Sequence, residues 1–233
     1  MNRLTRTLPH LLTLGNVLSG TAALGVLIAG GPLTQAATLV ALGLLFDLLD
    51  GRAARKLGVA GPFGAQLDSM ADVITFGLAP AAVLYTWKLA PLGTLGLFAT
   101  AALVVAAVTR LARFTAAAGG PPVPGPARFR GLAVTLPAAI ILGAAVADLP
   151  IAPTGAALIA CLLAALMVST LPYRSFKDRS VIWVLGPVAL LVAAFTVWSG
   201  HLGTGLGLAL ALGGAAYALS APVRLMVRVA RRA

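Results

Sequence analysis

All six acidic residues of this 233-residue chain are aspartates, and four of them lie between positions 47 and 72. Asp47, Asp50, Asp68 and Asp72 belong to one pattern, D-x2-D-G-x2-A-R-x8-G-x3-D-x3-D, which also takes in Gly51, Ala54, Arg55 and Gly64. Long apolar stretches flank the pattern on both sides. Carboxylates at the edge of a bilayer are costly to keep charged, so four together call for a neutralising partner. Hard oxygen ligands, with no histidine or cysteine spaced to join them, suit one or two divalent cations such as Mg²⁺, Mn²⁺ or Ca²⁺ better than zinc.

Helical periodicity gives the pattern its geometry. Asp47 and Asp50 are three residues apart and Asp68 and Asp72 four apart, so each pair projects from one face of its own helix. A short turn carrying Arg52, Arg55, Lys56, Gly58 and Gly61-Pro62 makes the two helices antiparallel, and both pairs then converge at one membrane face. Gly51, Ala54 and Gly64 remove side-chain bulk where a nucleotide or its phosphates would approach the backbone, and Arg55 offers a planar cation for phosphate oxygens. The competing explanation for each small residue is close helix packing, and for Arg55 simple topology. Eight fixed positions within 26 residues argue for the site as a whole.

The elements that must position these residues are membrane helices. The chain is 60% hydrophobic and 10% charged, with a mean hydropathy of +0.99, which excludes an ordinary soluble domain. Eight apolar runs of spanning length are read near 9–30, 33–54, 67–87, 91–114, 131–148, 151–171, 181–199 and 203–225. Their Ala, Leu and Gly content predicts an all-α transmembrane bundle and not a barrel. With the N-terminus inside, 16 of the 17 lysines and arginines fall on the cytoplasmic side and Lys88 alone lies outside. Both termini and the aspartates are thus expected on the cytoplasmic face of the cytoplasmic membrane. The net charge of +11 is dispersed over short loops facing anionic lipid, which speaks against nucleic-acid binding.

The first apolar run is read as a retained helix and not a cleaved leader. Cys161 is alone and is read as a small core residue. His10 and His201 show no ligand spacing and receive no role. The segment Gly119 to Arg130, rich in proline, is either a stiff linker or a lid over a charged headgroup. No segment is polar enough for a second domain, so residues 1–233 are read as one unit.

At every defining position the aspartate segment resembles the signature of the CDP-alcohol phosphotransferase family. Members are membrane enzymes that move a substituted phosphoryl group from a CDP-linked donor to an alcohol and release CMP. The resemblance implies that Asp47, Asp50, Asp68 and Asp72 gather Mg²⁺ or Mn²⁺ at the donor diphosphate, with Asp72 also taking the acceptor proton. It implies that Gly51, Ala54, Arg55, Gly64 and Asp68 line the CDP site. Thr13 and Asn16, polar within the first helix, either bond the cytidine or phosphates or pack between helices. A homodimer is implied as well.

Four further stretches are similar to the branch of the family that takes L-serine as acceptor and CDP-diacylglycerol as donor: PHLLTLGNVLSG, FGAQLDSMADVITFGLAPA, RLARF and LMVSTLPYRSFK. That branch implies a catalytic core over about 1–172 and two more helices over about 181–225. A serine acceptor brings a carboxylate, for which Arg113 is the first choice, with Arg110, Arg130 and Lys177 as further candidates. The chain departs from that branch by Thr115 after Arg113-Phe114, where Asn is usual, and by Phe129-Arg130-Gly131-Leu132-Ala133-Val134-Thr135-Leu136-Pro137, where the first of two usual prolines is absent and the other displaced. Other readings stay open: glycerol 3-phosphate or inositol phosphate as acceptor, an ether-lipid donor, a prenyltransferase, or a cation transporter.

Overall fold

In a computed structural model of the chain, residues 3–118, 129–173 and 202–230 are described. Within them α1 (Arg3–Ile28), α2 (Leu33–Lys56), α3 (Pro62–Asp72), α4 (Ala79–Leu84), α5 (Thr94–Ala118), α6 (Thr135–Val146), α7 (Pro153–Val168) and α8 (Leu202–Ala230) form a helical bundle. The third apolar run is one continuous helical stretch, Pro62–Leu92. Inside it α3 passes through a π-helical segment at Val73–Leu78 into α4, and a second such segment at Tyr85–Leu89 leads to a closing 3₁₀ turn at Ala90–Leu92.

Five of these helices are long and apolar enough to cross a membrane, and Thr135–Val146 and Pro153–Val168 are shorter apolar helices at the fifth and sixth expected runs. The seventh expected run, 181–199, lies outside the described residues, as do Lys177 and most of the Gly119 to Arg130 segment. The protein is an all-α integral membrane bundle. Two strands of two residues each are its only sheet among the described residues, with Phe129 opposite Tyr173 and Arg130 opposite Pro172. Beyond them the Tyr173 hydroxyl donates to the Ala218 carbonyl at 2.9 Å, tying the end of α7 to α8.

The turn that brings the aspartate helices together is a compact capping structure. After Lys56, Gly58 adopts a φ of +64°, its N–H bonds the Arg55 carbonyl at 3.3 Å, and the Val59 N–H bonds the Ala54 carbonyl at 3.0 Å. This Schellman closure satisfies the last carbonyls of α2, and Arg55 and Lys56 complement the negative end of its dipole. Pro62 then opens α3 at a position where its missing N–H costs nothing.

α1 packs along α2, α5 along α7, and α6 along α8. Small residues allow this closeness. A Cβ at Gly143 would lie 2.5 Å from the Gly207 carbonyl oxygen, and one at Gly207 would lie 2.6 Å from that of Gly143, so α6 and α8 cross backbone to backbone. At the opposite end of the Pro62–Leu92 stretch from the aspartates, Lys88 meets Asp148 at 3.8 Å, and the Trp87 indole N–H donates to Asp148 at 3.0 Å. Cys161, expected in the core, is instead exposed on α7. An apolar thiol is as well accommodated by lipid as by a protein interior, which is why composition did not separate the two.

Candidate active site

The last turns of α2 and the first turns of α3 bring carboxylates from the two helices together. One oxygen each from Asp47, Asp50 and Asp68 lies within 4.8 Å of the others. Asp50 is 4% exposed, and its Oδ2 is 2.7 Å from the Thr13 hydroxyl of α1. Asp72, one turn beyond Asp68, stands apart from this trio. Its Oδ1 accepts from the Asn16 side-chain amide at 3.4 Å.

Three buried side-chain atoms have no hydrogen-bond partner among the described residues: Asp68 Oδ1, Asn16 Oδ1 and Arg110 Nε. Asp68 belongs to the trio, and Asn16 is the residue bonded to Asp72. An unpartnered buried carboxylate oxygen beside two further carboxylates is unfavourable unless a cation joins them. The trio offers hard oxygens only, and it fits a divalent ion.

Beside the trio is a pocket with walls from three elements. α1 contributes Pro9, His10 and Thr13; α2 contributes Asp50, Gly51, Ala54 and Arg55; Gly61, Gly64, Ala65 and Asp68 close the other side. Six of the seven residues expected at a CDP site are therefore on one wall system. The seventh, Asn16, is fully buried, bonds Asp72 and is not among the residues lining the pocket. Gly51 makes room for a cation: a Cβ there would stand 3.3 Å from Arg55 Nη1. Gly64 looks across at His10 Cε1, 3.4 Å from where its own Cβ would be. Neither glycine is pressed against a neighbouring helix backbone.

Sequence reasoning left His10 without a role, yet it lines this pocket, set edge-on to Phe63 with centroids 5.4 Å apart. The available signal was its position three residues before Thr13, which puts both on one face of α1.

The cationic candidates separate clearly. Arg113 donates from Nη1 to the Val168 carbonyl at 2.6 Å, at the C-terminal end of α7. The same helix end is closed by the Leu132 N–H on the Leu166 carbonyl at 3.0 Å. Arg113 is thus engaged in satisfying carbonyls that a helix terminus leaves bare. Arg110 instead keeps its Nε buried and unpartnered, its guanidinium 5.8 Å from the Phe114 ring centroid. Arg130 contributes backbone to the strand pair, and its side chain and Lys177 lie outside the described residues. Thr115, the departing position, bonds the Leu111 carbonyl at 2.6 Å and lies 3.3 Å from the Ser69 hydroxyl, between Asp68 and Asp72 on α3.

Comparison with known proteins agrees with this geometry. The chain is 29% identical over 188 residues to the CDP-diacylglycerol–serine O-phosphatidyltransferase of Methanocaldococcus jannaschii, a match spanning 80% of this chain and 83% of that protein. A Bacillus subtilis protein of the same name is 33% identical over 46% of this chain and 60% of its own length. The archaetidylserine synthase of Methanothermobacter thermautotrophicus is 38% identical over 48% of each chain. The family model for CDP-alcohol phosphatidyltransferases matches residues 6–198, from the first helix across the whole aspartate site, and the chain belongs to that enzyme family.

Proposed function

We propose that the protein transfers the phosphatidyl group of CDP-diacylglycerol to the hydroxyl of L-serine, giving phosphatidylserine and CMP. The observation that carries the donor half is the junction of the pocket with the carboxylate trio: Gly51, Ala54, Arg55 and Gly64 beside Asp47, Asp50 and Asp68. The acceptor half rests on the serine-transferring activity named for the relatives.

In this reading the cytidine diphosphate enters the pocket with its phosphates toward Arg55 and the aspartates. Gly51 and Gly64 admit it because a side chain at either position would occupy the space it needs. Asp47, Asp50, Asp68 and Asp72 would hold Mg²⁺ or Mn²⁺, which when bound withdraws charge from the diphosphate and from the departing CMP. Asp72 takes the proton of the serine hydroxyl while the serine oxygen forms its bond to the lipid-bearing phosphorus. The bond from that phosphorus to the bridging oxygen breaks, and CMP leaves with the electron pair. Arg110, half-buried on α5 with an unpartnered Nε, receives the serine carboxylate and so sets the hydroxyl against Asp72.

The reaction is assigned to the cytoplasmic face, because the basic residues collect there. The catalytic core is assigned to about 1–172 with the last two helices appended, and a homodimer is the proposed assembly. The name of the Methanothermobacter relative favours one variant, the same acceptor with an ether-lipid donor.

The test is CMP release by purified protein in detergent with CDP-diacylglycerol and Mg²⁺ or Mn²⁺, comparing L-serine, glycerol 3-phosphate and inositol phosphate. Release stimulated by serine alone, with phosphatidylserine as product, is expected. Stimulation by a phosphorylated acceptor would remove serine from the assignment and keep the donor. Higher turnover with a CDP-archaeol donor would select the ether-lipid variant.

A further inference from the structure

Asn16 of α1 bonds both Asp72 and Thr75, one through its side chain and the other through its backbone. Its side-chain amide donates to Asp72 Oδ1 at 3.4 Å. Its backbone carbonyl accepts from the Thr75 hydroxyl at 2.9 Å. Thr75 lies three residues beyond Asp72, inside the π-helical segment Val73–Leu78 that begins directly after that aspartate. Both Asn16 and Thr75 are fully buried. A carbonyl has two lone pairs, so the Asn16 oxygen accepts Thr75 without giving up its place in the helix of α1.

The surroundings are cut to fit this contact. A Cβ at Gly20 of α1 would collide with the Thr75 side chain, and one at Gly43 of α2 would lie 2.6 Å from Thr75 Cγ2 and 3.0 Å from Asn16 Oδ1. Two glycines on two helices thus make a socket for Thr75. A π-turn inserted in a helix changes the direction in which the preceding residue points, and such turns recur at functional sites. Here the preceding residue is Asp72, and the turn is held by the threonine that plugs the socket.

We infer that Asn16 and Thr75 form a two-point clamp that aims the Asp72 carboxylate, making both positioning residues for the transfer and not nucleotide ligands. The inference rests on the role proposed for Asp72. The amide orients one carboxylate oxygen and leaves the other toward the acceptor. The Thr75 bond fixes the rotation of the helical segment from which Asp72 projects. Misplacing a reacting group by an ångström costs turnover and leaves ground-state binding largely intact, so the clamp is visible in kcat before it is visible in affinity.

The experiment compares the wild-type protein with Asn16→Ala, Thr75→Val and Thr75→Ser. It reads kcat and KM for CMP release with serine, and the rise in Tm produced by CDP with Mg²⁺. In Asn16→Ala, kcat is expected to fall at least about tenfold, with KM for CDP-diacylglycerol and the CDP-induced rise in Tm within about twofold of wild type. Thr75→Val, which keeps the shape and loses the hydroxyl, is expected to lower kcat, and Thr75→Ser to restore it in large part. The clamp is overturned if Asn16→Ala keeps its kcat, or if its fall in kcat comes with loss of the CDP-induced rise in Tm, which would make Asn16 a nucleotide ligand. Should Asn16→Ala fail to fold, the two Thr75 variants decide, and equal kcat in Thr75→Val and Thr75→Ser rejects the clamp. Absence of serine-dependent CMP release in the wild type would instead reject the proposed function itself, so the two failures are distinguishable.

Discussion

Two pairs of glycines in this protein are small for opposite reasons. Gly143 and Gly207 lie where α6 and α8 cross, and a methyl group on either would come within 2.6 Å of the other's carbonyl oxygen or closer. Gly51 and Gly64 border the pocket. A methyl group there would meet only the tip of Arg55 at 3.3 Å and the edge of His10 at 3.4 Å. In the first pair the space is filled by protein, and in the second it opens on the pocket. Gly20 and Gly43 belong with the first pair in kind, since both are pressed against Thr75, but they stand near enough to Asp72 that their packing bears on the chemistry. Glycine abundance in a membrane helix says nothing by itself about function; what stands opposite each glycine does.

If the two regions differ as described, substitutions at the aspartate end cost activity and spare stability, and those at the crossing do the reverse. The largest effect is expected for Asp72→Asn. It should keep CDP-lipid binding and lose about a hundredfold or more in turnover, the usual scale for a missing general base. Near-normal turnover in the purified variant would take Asp72 out of that role.

Next is Gly143→Val, where the new side chain meets backbone and cannot swing aside. A loss of about 1–3 kcal/mol or more is expected from overpacking, read as a lower Tm in detergent. An unchanged Tm would mean that the crossing tolerates separation and that the contrast with the pocket glycines is empty.

Gly64→Ala should split the two readouts in the opposite sense. Alanine favours a helix interior over glycine by up to about 1 kcal/mol, and the 3.4 Å approach to His10 is an ordinary contact. Tm is expected to hold or rise while KM for CDP-diacylglycerol increases severalfold. Gly51→Ala should follow the same pattern more weakly, because the flexible end of Arg55 can yield. A Tm loss in both, with KM unchanged, would return these glycines to the packing class.

The smallest effect is expected for Arg113→Ala. Losing its bond to the Val168 carbonyl should cost about 1 kcal/mol of stability, with KM for serine unchanged. Arg110→Ala should raise KM for serine. If the two variants exchanged these outcomes, Arg113 would regain the acceptor role that its place in the sequence suggested.

Much of this molecule was legible before any tertiary structure. Apolar run lengths located the helices to within a few residues for α2 and α5, since a helix that must satisfy its own backbone in lipid advertises its ends in composition. The π-helical turn after Asp72 had no such signal, because nothing in VITFGL marks one kind of helix over the other, and the contacts Thr75 makes there come from α1 and α2. The two-residue strands were equally invisible, being too short for alternation to register.

The sequence by itself determined which residue types share a helix face: Asp47 with Asp50, Asp68 with Asp72, His10 with Thr13. It determined the charge asymmetry on which the proposed orientation rests and the apolar content that commits it to a membrane, because these follow from local composition and transfer free energy. Only the tertiary structure decided which faces meet. It turned Asn16 toward Asp72, gave Arg113 a helix end to cap while leaving the Arg110 Nε without a hydrogen-bond partner, and brought His10 to the pocket wall. Those outcomes depend on how closely α1, α2, α3 and α5 approach one another, and that closeness is set by side-chain volume across helices, which no spacing within one helix encodes.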